Sequence, residues 1–195
     1  MAQPAPTRKK SFSFGWKELL IALFLLVVAW VGVDLLGPGG SSKPIEVSDK
    51  AGIQVFFTAP LYPDRPTDRK GGLDERLATA IDSAQQSVDV AAFEFNLVNV
   101  TDALLRAHQR GVRVRLVTDS DYADALGPTR LLQAQIPVVF DNAQPFMHNK
   151  FVVIDGKQVW TGSWNLTTNG TYRNNNNVVV ANSRLLAENY TVEFE

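Results

Sequence analysis

The chain has 195 residues, 45% of them hydrophobic and 20% charged, which is room for one domain with a sizeable core plus a small appendage and is not the composition of a disordered chain. It has no cysteine and two histidines, which excludes disulfides and thiolate metal sites and leaves little for a histidine-rich one. The formal net charge of −1 is uneven: residues 1–18 carry Arg8, Lys9, Lys10 and Lys17 against Glu18, so the remainder is mildly acidic and lacks the broad basic footprint of a nucleic-acid binder.

Residues 1–18 read as a basic cytoplasmic tail. From Leu19 to Val33 the run LLIALFLLVVAWVGV has no charge, and Leu35-Leu36 extend it past Asp34. With the aromatic flank from Phe12 to Trp16 it approaches the roughly 20 residues that cross a hydrocarbon core. The preceding positive cluster keeps the N-terminus inside and exports the rest of the chain. Residues 19–36 are therefore expected to be a single transmembrane helix, anchoring the domain on the extracytoplasmic side of the cell membrane. A cleaved signal peptide, giving a secreted protein, is the alternative; the length of the run and the lack of a small-x-small cleavage site favour the anchor. Residues 37–50, rich in Gly, Ser and Pro, read as a linker, and residues 51–195 as the folded domain.

Within that domain Ile53 to Thr58 is a strand candidate. Leu73 to Gln86 places Leu73, Leu77, Ala80, Ile81 and Ala84 at helical spacing. Ser87 to Phe95 is nearly continuous in apolar character, as in a sheet covered on both faces. Asn99 to Arg110 is a second helix stopped by Gly111, and Val112 to Thr118 is an alternating strand. A helix broken at Gly127-Pro128 leads to a short strand, Pro137 to Phe140. Lys150 to Ile154 and Gln158 to Thr161 form a hairpin around Asp155-Gly156, Val178 to Ala181 is a last strand, and a helix begins at Arg184. Strands alternating with helices, then hairpins, define an α/β domain with a mixed sheet flanked by helices. The helix runs to Glu195 without a capping signal, so truncation of the domain at its C-terminus stays open.

The chemistry concentrates in MHNKFVVIDGKQVWTGSWN, residues 147–165. It satisfies the pattern His-x-Lys-x4-Asp-x6-Gly-Ser-x-Asn with His148, Lys150, Asp155, Gly162, Ser163 and Asn165. Strand alternation turns His148 and Lys150 to one face. Imidazole is a nucleophile that can also carry a proton, and lysine is a positive charge suited to phosphate. Ser163 and Asn165, at the end of the next strand, can donate to the same oxygens. Each residue alone has an ordinary reading as a solvated strand end or a turn. Asp155 in particular sits where a hairpin carboxylate orients backbone, and His108, at a helix end beside Arg106 and Arg110, reads as a surface residue.

The pattern, together with SVDVAAFEF, AHQRGVRVRLVTD and IPVVFD, resembles the phospholipase D superfamily from about Ile53 onward. The resemblance implies a phospholipase D-like half-domain and a phosphodiesterase with no metal or cofactor. One histidine attacks phosphorus to give a phosphohistidine; a second, from a second copy of the motif, protonates the leaving alcohol and activates water. It implies catalytic His148, Lys150 and Asp155, with Lys150, Ser163 and Asn165 on the phosphate. Two departures stand out. The chain has one motif, so the second comes from a homodimer partner or a missing half. And the family's downstream Arg-Asn-x-Glu-Asn reads Arg173-Asn174-Asn175-Asn176-Asn177 here, so an amide, Asn176, replaces the carboxylate that supports the histidine.

The expected substrate is a phospholipid headgroup ester, presented at high local concentration beside the membrane. A DNA or RNA endonuclease of the same superfamily, with Arg110, Arg113 and Arg115 on backbone phosphates, is one alternative. A catalytically silent, membrane-anchored binding module is another, supported by Asn176 and the lone motif.

Overall fold

A computed structural model describes residues 15–17, 20, 21, 23, 25, 45–48 and 52–195. Of the apolar run read as an anchor only Leu20, Ile21, Leu23 and Leu25 fall in that set; the transmembrane expectation otherwise lies outside the described residues. Among those residues no helix is long and apolar enough to cross a membrane.

The sheet has eight strands: β1 (Ile45–Ser48), β2 (Ile53–Phe57), β3 (Ser87–Ala92), β4 (Arg113–Asp119), β5 (Val138–Asp141), β6 (Lys150–Ile154), β7 (Gln158–Gly162) and β8 (Asn177–Asn182). Their spatial order is β1-β2-β8-β7-β6-β3-β4-β5. The β3, β4 and β5 strands are parallel, and the remaining pairs are antiparallel. The parallel part is linked by α2 (Val98–Gln109) and α3 (Leu126–Gln133), with α1 (Leu73–Asp82) preceding β3. A short α4 (Thr168–Tyr172) precedes β8, and α5 (Arg184–Phe194) follows it.

Period-two alternation divides the core between the two faces. Val88, Val90, Val152 and Ile154 pack with Leu73, Leu77 and Ile81 of α1 and Val100, Ala103 and Leu104 of α2. On the other face Ala91, Phe151, Val153 and Val159 meet Ala187, Leu186 and Tyr190 of α5. Burial on both faces explains why β3 reads as an unbroken apolar run. Its one charge, Asp89, is 1% exposed and is held by Arg115 Nε at 2.8 Å, because a buried carboxylate is tolerable only when paired.

Several elements differ from their sequence readings for local reasons. The sheet begins inside the stretch read as a linker: Ile45 to Ser48 pairs with β2, an edge strand too short to outweigh the Gly, Ser and Pro around it. The α1 helix ends at Asp82, four residues short of Gln86, because the backbone N–H groups of Gln85, Gln86 and Ser87 are bound by the Asp155 carboxylate. Gly127-Pro128 lies in the first turn of α3, where proline's missing N–H costs nothing, so it opens the helix and does not break it. At Gly127 a β-carbon would collide with the Phe95 ring. The α4 helix has no counterpart in the sequence reading. Its five residues include Gly170, and it is started by Thr167, whose hydroxyl accepts from the Gly170 N–H at 2.9 Å.

Candidate active site

The registers bring several strand ends to one edge of the sheet. Lys150 at the start of β6 lies opposite Ala92 at the end of β3, Gly162 at the end of β7 opposite Val178, and Phe57 at the end of β2 opposite Asn177. His148, Lys150, Ser163 and Asn176 therefore share this end. His148 is exposed and Lys150 half-buried, in an open groove whose walls include Thr161, Gly162, Asn189, Tyr190 and Glu193.

Lys150 Nζ donates to the His148 carbonyl at 2.9 Å and lies 5.3 Å from the centroid of the Phe93 ring. Burial lowers the Lys150 pKa; a partly desolvated ammonium interacts more strongly with an anion that enters. The His148 ring meets Phe93 edge-on, with centroids 4.8 Å apart. The segment before His148 is strapped down by Asp119, 3% exposed, which accepts from the Met147 N–H at 2.9 Å and the Asp121 N–H at 2.9 Å.

Ser163 and Asn176 are paired with each other. The Ser163 hydroxyl donates to Asn176 Oδ1 at 3.0 Å and accepts from the Asn177 N–H at 3.1 Å. Gly162 permits this approach, since a β-carbon there would strike the Asn177 carbonyl. Asn176 Nδ2 donates to the Gly170 carbonyl at 2.8 Å. The amide thus has its own partners and forms no hydrogen bond to His148. The physical reason is that an amide, unlike a carboxylate, carries a donor that a carbonyl can capture. Asn165 Oδ1 is buried and accepts no hydrogen bond from the described residues.

Asp155 does not join this group. It sits at the other end of β6, five residues from Lys150 and so roughly 16 Å away at strand rise. Its carboxylate accepts from the N–H groups of Gln85 (3.0 Å), Gln86 (2.7 Å) and Ser87 (3.1 Å) and pairs with Lys157 at 3.5 Å. Burial opposes its ionisation, but those backbone donors and Lys157 outweigh it, and its pKa is lowered. Arg113 begins β4 and Arg110 precedes it, so both also lie at the far end. Arg110 is taken up by the carbonyls of Ile81 and Ala84 and by Asp82, Arg113 pairs with Asp89, and Arg115 with Asp89 and Glu195. His108 is exposed on α2.

Sequence reading missed Phe93, Asp119 and the α5 wall of the groove. Phe93 looked like one more apolar residue in a strand, and Asp119 fell just past the strand read as Val112 to Thr118. Their shared signal is position, since each stands at or just past the C-terminal end of a parallel strand, where α/β sheets build sites.

An imidazole, an ammonium and several amides at one end of a mixed sheet suit an anionic oxygen better than a hard cation; fold and site together define a phosphodiesterase half-domain. The chain belongs to the phospholipase D family and is a phosphodiesterase of that family: the family model for the cardiolipin synthase, PLD-like domain matches residues 77–195. It is 36% identical over 156 residues to a mitochondrial cardiolipin hydrolase of Xenopus tropicalis, covering 72% of this chain and 73% of that protein. It is 37% identical over 121 residues to a phospholipase D of Rickettsia felis, covering 61% of this chain and 60% of that one. Among solved structures it is similar to Nuc, a phospholipase D family member from Salmonella typhimurium, with a TM-score of 0.61 and 28% identity over 73% of this chain and 90% of that one.

Proposed function

We propose that the protein hydrolyses the headgroup ester of a phospholipid through a phosphohistidine on His148, with two copies of the chain forming one active site. The observation that carries this reading is the pair itself: an exposed imidazole beside a half-buried ammonium at the head of β6. In the first step the His148 ring nitrogen attacks phosphorus while the bond to the leaving alcohol breaks. The alkoxide takes a proton from the imidazolium of His148 on a second copy. That second imidazole then removes a proton from water, whose oxygen displaces the first histidine and restores both rings. Lys150 neutralises the non-bridging oxygens. Asp155 serves stability and not the reaction, pinning the β6–β7 hairpin to the α1–β3 turn.

A lipid substrate is supported by the names of the relatives and by the apolar run 19–36, which we take as a membrane anchor behind Arg8, Lys9 and Lys10, with the domain on the extracytoplasmic side. The nuclease reading is weakened by the placement of Arg110, Arg113 and Arg115: all three are engaged in ion pairs or hydrogen bonds, and Arg110 and Arg113 lie at the far end of the sheet from His148. The test is hydrolysis of anionic phospholipid vesicles against single-stranded DNA, each with wild type and His148→Ala. Lipid turnover that vanishes in the variant supports the proposal. DNA cleavage that falls steeply with salt, without lipid turnover, selects the nuclease; silence on both selects a binding module. Extraction of the full chain from membranes by alkaline carbonate would contradict the anchor.

A further inference from the structure

We infer that Phe93 is a positioning residue of the phosphodiesterase site, a ring that sets the attack direction of His148 and holds the Lys150 ammonium beside it. The inference rests on the reading of His148 and Lys150 as the reacting pair. Phe93 follows β3 directly and is outside the His-x-Lys motif, yet it touches both motif side chains. The His148 ring meets it edge-on at 4.8 Å between centroids, 67° between planes, and Lys150 Nζ stands 5.3 Å from its centroid. Among the described residues no hydrogen bond fixes the His148 ring, so the edge-to-face contact is what orients it. Imidazole and phenyl rings favour this geometry because a positive edge meets a negative face, and the same negative face attracts an ammonium.

Phe93 is itself held from several sides. Tyr122 packs edge-on at 4.8 Å between centroids, and Phe146 lies tilted against it at 5.8 Å. Its backbone N–H donates to the Asn149 carbonyl at 3.0 Å, between the two motif residues, and its carbonyl accepts from the Thr118 hydroxyl at 3.3 Å. The ring is therefore fixed to the sheet, while His148 is fixed to the ring. A small error in nucleophile direction lowers kcat far more than binding, because phosphate is held chiefly by charge.

The test uses the full-length chain and bis(p-nitrophenyl) phosphate as the probe. Phe93→Leu should lower kcat about tenfold, the loss of one ring pair and one cation–π contact, with KM within about threefold of wild type. Phe93→Tyr, which keeps the ring, should recover kcat to within about threefold. If the leucine variant does not fold, Phe93→Met, nearer in shape, takes its place with the same expectation. An undiminished kcat in the folded leucine or methionine variant overturns the inference, as does a loss that tyrosine fails to recover or that appears equally in KM. These outcomes leave the active-site reading standing, provided His148→Ala is inactive. If His148→Ala turns over at the wild-type rate, that reading fails and the role of Phe93 fails with it.

Discussion

The Ser163 hydroxyl donates to the amide oxygen of Asn176 at 3.0 Å, and that amide donates in turn to the Gly170 carbonyl at 2.8 Å. Where the resemblance to the family leads one to expect a carboxylate directed at His148, this chain has a closed amide bridge between the end of β7 and α4. Asn176→Glu is expected to raise turnover by supplying a charge for the His148 imidazolium. It should also lower stability by about 1–2 kcal/mol, since the Gly170 carbonyl loses its donor. Steady-state rates and a denaturant melt check both, and an unchanged rate counts against the idea.

Asp155 provides a test at the opposite end of the sheet. Replacing it with asparagine weakens three backbone hydrogen bonds to a carboxylate, at a cost of about 1–3 kcal/mol. The folded variant should keep its kcat. The sign of the pH effect comes from the lowered pKa: the folded state binds its proton less readily than the unfolded chain. The stabilisation is thus complete above the ordinary carboxylate value of about 4 and is lost as pH falls through the folded value. Acid unfolding of wild type and Asp155→Asn should converge below that range. A variant with native stability but a large loss of kcat would return Asp155 to the chemistry.

Asp119 ties the segment before His148 to the end of β4 through the Met147 N–H. Asp119→Ala leaves two backbone N–H groups without their acceptor and should cost about 1–3 kcal/mol. It should also lower kcat in the fraction that remains folded, because the His148 backbone loses its strap. Melting curves and rates at a temperature well below the midpoint separate the two effects; full kcat in the folded variant would show the strap to be dispensable.

The order of elements was readable because apolar spacing differs between helix and strand, and residues such as Leu73, Leu77 and Ile81 keep one period throughout. The end of α1 was not readable, since the carboxylate that stops it is about 70 positions away in the chain at Asp155. Likewise His148 and Lys150 were visible as neighbours in sequence, and strand alternation gave their common face. The pairing of Asn176 with Ser163 and Gly170 was hidden because it depends on where α4 sits, and α4 is too short and too polar to announce itself. Phe93 was hidden for another reason: an aromatic at a strand end looks the same whether it fills a core or supports a reacting ring.

If two copies of the chain share one site as proposed, activity depends on association. Specific activity should fall as the enzyme is diluted through its dimer dissociation constant. Mixing and re-equilibrating wild type with excess His148→Ala should suppress turnover, because mixed pairs lack one of the two rings. Specific activity that is independent of concentration, in a protein of monomeric mass, would contradict the shared site.

The most direct measurement is on His148 itself. Wild-type protein quenched during turnover of a phosphodiester, digested under alkaline conditions and analysed by mass spectrometry should carry the phosphoryl half of the substrate on the peptide containing His148, as an acid-labile adduct absent from His148→Asn. Turnover with no adduct on that peptide, or undiminished turnover in the variant, would contradict the account.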